Sequence, residues 1–228
     1  MASTAVPNGD LTFLAQWSAL RAWIGALTAD ELERPSTLDG WSVADLVAHL
    51  SGTCNSIAAL RPAPQTSEPM TVAGYLAGYS DNASQIANRA RQIARSTVGD
   101  LTGTLDAAHQ QAARTLSALG DREQVVQSLR GPIDLGTFLD TRLIELVVHA
   151  GDLQASLPDR NPPPVLPAAR QRAVSALRDA LTERAADPVA AIAAASALDP
   201  DEFIRAATGR VPVPDAAAGA LGDLLPLF

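Results

Sequence analysis

The sequence predicts an all-α protein built on an antiparallel four-helix bundle. Three observations lead there. Apolar residues recur at three- and four-residue steps in several stretches, the period of one helix face. Strand signals are nearly absent: aromatics are only 4%, with no sustained period-2 alternation and no Asn-Gly hairpin turn. The periodic stretches are joined by short connections, which make consecutive helices antiparallel neighbours.

Asp10 can cap a first helix in which Leu11, Leu14, Trp17, Leu20, Ile24 and Leu27 share one side, and a loop over 28–35 ends it. Ser42, with Asp45 three residues on, forms a capping-box pattern ahead of a helix over 43–60, which Arg61-Pro62-Ala63-Pro64 closes. A third helix spans 72–95, with Tyr75, Leu76, Tyr79, Ile86, Ala90 and Ile93 on its apolar side. Residues 101–119 form a fourth and weaker one, because Gly103 costs helix propensity. A break from Gly131 to Gly136 precedes a strongly apolar helix over 137–157.

The bundle is therefore assigned to 1–157. A Pro-rich linker follows over 158–167, stiff and extended by composition. Residues 168–228 are a helical C-terminal extension, with helices at 168–186 and 199–208 and Gly209 as a stop. A piece this short makes a marginal core alone, so it packs on the bundle.

Composition narrows the function. The 228 residues carry 17 basic and 25 acidic side chains, a net charge of −8, which argues against a nucleic-acid partner needing a basic face. All the basic residues other than His are Arg, and Ala is abundant, as expected of a GC-rich coding sequence. A single cysteine, Cys54, excludes a disulfide framework and Cys-rich zinc sites. No apolar run has membrane-spanning length and the N-terminus lacks a signal-peptide pattern, so a cytoplasmic protein without a membrane partner is expected.

The informative element is the last bundle helix. Arg142, Glu145, His149 and Asp152 fall at i, i+3, i+7 and i+10, one seam of a helix that is otherwise apolar nearly all round. Buried charges must be paired or bound to a metal. Taken alone, the seam is equally an Arg–Glu or His–Asp network stitching two helices together. A second seam adds His49 to an apolar helix. His49, Glu145 and His149 make up an N2O donor set, the usual composition of a catalytic Zn2+ site that leaves a fourth position open.

At these residues the chain resembles a known family. The stretch from Gly40 to Leu50 (GWSVADLVAHL) is similar to the first motif of the mycothiol-dependent maleylpyruvate isomerase family, of the DinB-like superfamily. The stretch from Arg142 to Leu153 is similar to its second, RxxExxxHxxDL. The resemblance covers about residues 10–157. It implies a DinB-like four-helix bundle, with His49, Glu145 and His149 as ligands of Zn2+ or another divalent metal. It also implies mycothiol as cosubstrate and a substrate-binding arginine on the middle helix, where Arg89 and Arg91 are both candidates. The end of the chain weakly resembles a truncated sterol-carrier-like domain, whose β-rich middle is not visible here.

Other residues carry smaller expectations. Arg142 is read as structural, pairing with Glu145 or Asp152, with substrate contact as the alternative. Asp152 is an acceptor for a His or Arg behind the ligands. Asp45 serves the capping box, Cys54 is a small core residue, and His109 lies on the surface. Tyr75 and Tyr79 are core packing or pocket lining.

The functional expectation is a metal-dependent enzyme that uses a low-molecular-weight thiol on a small electrophilic substrate, as isomerase or S-transferase. The alternatives are a non-catalytic bundle binding a small ligand or lipid, and a metal-free polar network. Monomer and homodimer both remain open.

Overall fold

The computed structural model describes residues 8–97 and 100–228, with side chains for 12–79, 84–97 and 100–228. Its helices are α1 (Asn8–Ile24), α2 (Ala29–Glu33), α3 (Val43–Ala58), α4 (Val72–Ala77), α5 (Tyr79–Ser96), α6 (Leu101–Leu119), α7 (Leu135–Ser156), α8 (Pro167–Arg184), α9 (Pro188–Ala197), α10 (Pro200–Ala207) and α11 (Asp215–Leu221). Helices α1, α3, α6 and α7 form the four-helix bundle. Helix α3 packs on α6 and α7, α1 closes the ring against the same two, and α5 lies along α3.

The core follows from the periodicity. Phe13, Trp17 and Leu20 of α1 meet Leu46, Leu50 and Ile57 of α3, Leu105 and Leu116 of α6, and Phe138 and Leu143 of α7, all fully or almost fully buried. Each such side chain contributes about 1.5–3 kcal/mol on burial. Ser42 and Asp45 form the expected capping box: Ser42 Oγ accepts from the Asp45 amide, and the Asp45 carboxylate accepts from the Ser42 amide. Cys54 is buried among these residues, and burial pushes its thiol up to about 12.

Several expectations are corrected. Helix α1 already includes Asn8 and Gly9, so Asp10 is not its cap. The 28–35 loop contains α2, a single turn held by a Thr28–Glu31 capping box. The third helix is two helices broken at Gly78, which ends α4 and begins α5 without a side-chain cap. Of the expected break at 131–136, residues 131–134 form β3 (Gly131–Asp134) of a small antiparallel sheet with β1 (Arg61–Pro62) and β2 (Val125–Ser128), in the order β1-β2-β3, and Leu135 and Gly136 already begin α7. In it Val126 stands opposite Ile133 and both are buried, which couples the hairpin to the core. Gly131 sits at φ 135°, a conformation that excludes side chains and sets the hairpin turn. His109 is half-buried beside Trp17, ring centroids 6.3 Å apart, rather than on the surface.

Beyond residue 157 the described chain is helical, and it includes α9 and α11, which the periodicity did not mark. Asp199 caps α10, and Gly209 follows it at φ 73°. The Pro-rich segment is fastened to the bundle. Gln16, buried on α1, donates to the Pro164 carbonyl at 2.9 Å and accepts from the Leu166 amide at 2.8 Å. Helix α8 then packs along α7, and α9 and α10 pack on α8. No described helix is long and apolar enough to cross a membrane.

Candidate metal centre

The α3 and α7 helices bring His49, Glu145 and His149 together. On α7 the i, i+4 spacing places Glu145 and His149 on one face, and α3 supplies His49 from across the bundle. Glu145 Oε2 lies 3.2 Å from His49 Nε2 and 3.2 Å from His149 Nε2. One ligand atom from each of the three lies within 4.8 Å of the others. Two donors held about 2.0–2.2 Å from one tetrahedral ion stand about 3.3–3.6 Å apart. Two of the three donor separations are near that value and the third is no more than 4.8 Å, so the donor set and its chemistry suit a divalent metal such as zinc, and these residues could hold one.

The groups behind the triad fix its orientation. His149 Nδ1 is 2.8 Å from Asp152 Oδ2, which leaves Nε2 for the centre. Asp152 in turn accepts from Arg210 Nη2 at 2.9 Å and Nε at 3.3 Å. The chain Arg210–Asp152–His149 is the carboxylate–histidine arrangement that holds a metal-binding imidazole in one tautomer. Asp152 is thus the acceptor expected for it. Arg210 was not foreseen, because its partner lies 58 residues away and no local pattern marks it.

The electrostatics agree with a coupled cluster. Burial alone would push the Glu145 carboxyl up, yet hydrogen bonds from His149 and His49 outweigh it and hold that carboxyl well below the usual range. Burial also disfavours charge on His149, but hydrogen bonds to Asp152 and Glu145 prevail and raise it to about 9. For His49, burial wins and its pKa falls. Trp41 sets its ring edge-on to His49, with centroids 5.5 Å apart.

Arg142 departs from expectation. It pairs with neither Glu145 nor Asp152. Its Nη2 donates instead to the Tyr79 hydroxyl, and its guanidinium lies over the Phe138 and Tyr75 rings at 5.1 and 5.3 Å. Burial drives the Tyr79 phenol far above its ordinary pKa even beside that cation, so it stays protonated.

Two cavities meet at the triad and share His49, Tyr79, Ile86 and Glu145 as a common wall. The larger, about 470 Å³, is lined by Thr53, Asn55, Ser56 and three arginines, Arg89, Arg130 and Arg142. Among the described residues none of these three forms an ion pair. Arg130, at the β2–β3 turn, donates to the Tyr75 carbonyl at 2.8 Å and covers the Tyr79 ring at 4.2 Å. Of the two middle-helix candidates, Arg89 lines this cavity, whereas Arg91 turns to Asn88 at 3.0 Å. Tyr75 and Tyr79 line it too. The smaller cavity, about 280 Å³, is walled mainly by apolar side chains, Trp41 and Phe228 among them.

The family model described as the mycothiol maleylpyruvate isomerase N-terminal domain matches residues 13–154, which contain the whole triad and Asp152. The mostly helical architecture is that expected of a DinB-like domain. No curated protein and no solved structure matches the chain.

Proposed function

Because the chain belongs to the mycothiol maleylpyruvate isomerase N-terminal domain family, we propose that it is a thiol-dependent enzyme acting on a small electrophilic substrate. His49, Glu145 and His149 are its metal ligands, and mycothiol is its cosubstrate. The observation that carries this reading is the convergence of the three donors, with Glu145 3.2 Å from each imidazole, beside two cavities. A zinc ion held by these residues would lower the pKa of a bound thiol and so would supply a nucleophilic sulfur at neutral pH.

The chain's own residues do the rest. Asp152 holds His149 with Nε2 turned to the centre, and Arg210 holds Asp152. Arg142 fixes the Tyr79 hydroxyl at the common wall. The arginines of the larger cavity attract and orient anionic groups. Apolar side chains around the triad limit the access of water. After the thiolate adds to an activated double bond, isomerisation expels it again once the former double bond has rotated, whereas S-transfer keeps the carbon–sulfur bond and the adduct carbanion takes up a proton.

The test is metal analysis of untagged protein followed by thiol-dependent consumption of an electrophile panel, with His149→Ala alongside. Wild-type protein should hold one divalent metal per chain and turn over only with thiol. The His149→Ala variant should lose both, since two remaining ligands hold zinc poorly. A second reading is favoured by the contacts within the triad: Glu145 already satisfies both imidazoles without a metal. Metal-free wild-type protein that takes up no zinc would make this polar network the better account.

A further inference from the structure

The two cavities beside the triad differ in kind, and the difference bears on the substrate. The smaller one is bounded by Leu38 and Trp41 ahead of α3, Ile144 and Val148 of α7, and Phe228 at the end of the described chain. The Phe228 ring leans on Tyr79 with centroids 5.2 Å apart. Arg210 and the imidazoles of His49 and His149 border this chamber, and each is already paired: Arg210 with Asp152, and the imidazoles with Glu145 and Asp152. Arg89, Arg130 and Arg142, which form no ion pair among the described residues, line the other cavity. Away from the triad itself, a free carboxylate in the smaller chamber would therefore lose water without gaining an unpaired counter-charge, which is costly. An apolar group would gain from leaving water.

Size sets a second limit. A cavity of about 150 Å³ lined by apolar side chains is enough for a benzene ring. The chamber here is about 280 Å³. We infer that this chamber, walled by Trp41, Val148 and Phe228, binds an uncharged ring or branched alkyl group, and that the physiological electrophile carries one. The inference rests on the thiol-dependent reading above for the word electrophile, and on the chamber alone for the ligand class. The thiol and any anionic group of the substrate then occupy the arginine-lined side.

The experiment measures binding, not turnover. The full chain as purified, with its zinc content recorded, is titrated calorimetrically with 4-nitrobenzyl alcohol, an uncharged ring unreactive toward thiols, and in parallel with maleate. The alcohol should bind saturably at one site. Val148→Phe, which fills the chamber, and Leu38→Glu, which brings a charge to its half-buried wall, should each weaken that binding about tenfold or more. Zinc content and any maleate affinity should stay at wild-type level. Should Val148→Phe fail to fold, Leu38→Glu still decides, because its site is half-exposed. No saturable binding of the alcohol, equal affinity in the folded variants, or maleate binding lost with the chamber would each overturn the inference. The thiol-dependent reading is tested separately, by the thiolate absorption of cobalt-substituted protein on adding cysteine. Its absence beside normal alcohol binding sinks that reading and leaves the chamber's ligand class intact.

Discussion

Replacing Asp152 with Asn tests the wiring of the centre without removing a ligand. The carboxylate accepts from His149 Nδ1 at 2.8 Å and from Arg210 at 2.9 and 3.3 Å, and it is buried. The amide keeps an acceptor oxygen but no charge, so His149 becomes a weaker donor to the metal and its tautomer is less firmly set. Losing such a partner costs about 10- to 100-fold in metal affinity, or about 1.4–2.7 kcal/mol.

Protons oppose this at neutral pH. His149 is raised to about 9, so in metal-free protein at pH 7 a metal must displace its proton. Losing the carboxylate loosens that proton too, which offsets part of the loss. The full factor should appear as the pH approaches 9. Zinc dissociation constants by competition with a chromophoric chelator, for wild type and variant at pH 7 and pH 9, give both numbers. A variant within about twofold of wild type at pH 9 would refute the role given to Asp152.

Three further outcomes follow from the same coordinates. Arg142→Leu should lower stability by about 1.5–3 kcal/mol, since a buried charged hydrogen bond to Tyr79 is lost, while zinc stoichiometry stays unchanged; urea unfolding with metal analysis checks both. His109 is kept below its ordinary value of 6.5 chiefly by burial, only partly offset by Asp106. The unfolded chain therefore binds its proton more readily, and the associated stability is complete above 6.5 and lost as pH falls through the lower folded value. Wild type should thus lose more stability than His109→Leu between pH 7 and 5 in parallel denaturation curves. Cys54, buried and raised to about 12, should resist iodoacetamide at pH 8 in folded protein and react once denatured, as mass spectrometry will show.

What the sequence disclosed is local. The Ser42–Asp45 box, the start of α3 and the limits of α6 are written within a few residues of one another, and so they read correctly. The seam of Glu145, His149 and Asp152 was legible because buried polar residues at helical spacing stand out against Leu, Val and Ile. The two-residue β1 and four-residue β2 and β3 were missed, because elements that short show no alternation to count. The Gly78 break was hidden because Tyr75 and Tyr79 stay in edge contact across it, 6.1 Å apart, as they would on an unbroken helix. Arg142 was assigned carboxylate partners on its own helix, whereas the hydroxyl that takes its hydrogen bond comes from α5. Arg130, Arg210 and Phe228 reach the site only through packing between distant segments, which spacing along one helix cannot express.

The link from Arg210 to Asp152 also sets a schedule for biosynthesis. A ribosome adding about 5–20 residues per second needs about 3–12 s to cover the 58 positions that separate these two residues. During that interval the nascent bundle already contains all three proposed ligands, while Asp152 still lacks its arginine. If the triad holds a metal as proposed, the emerging chain would pass through a stage with a looser grip on it than the finished protein, and ions taken up early could still exchange. Ion choice would then be settled last, when Arg210, three residues past α10, closes behind the histidine.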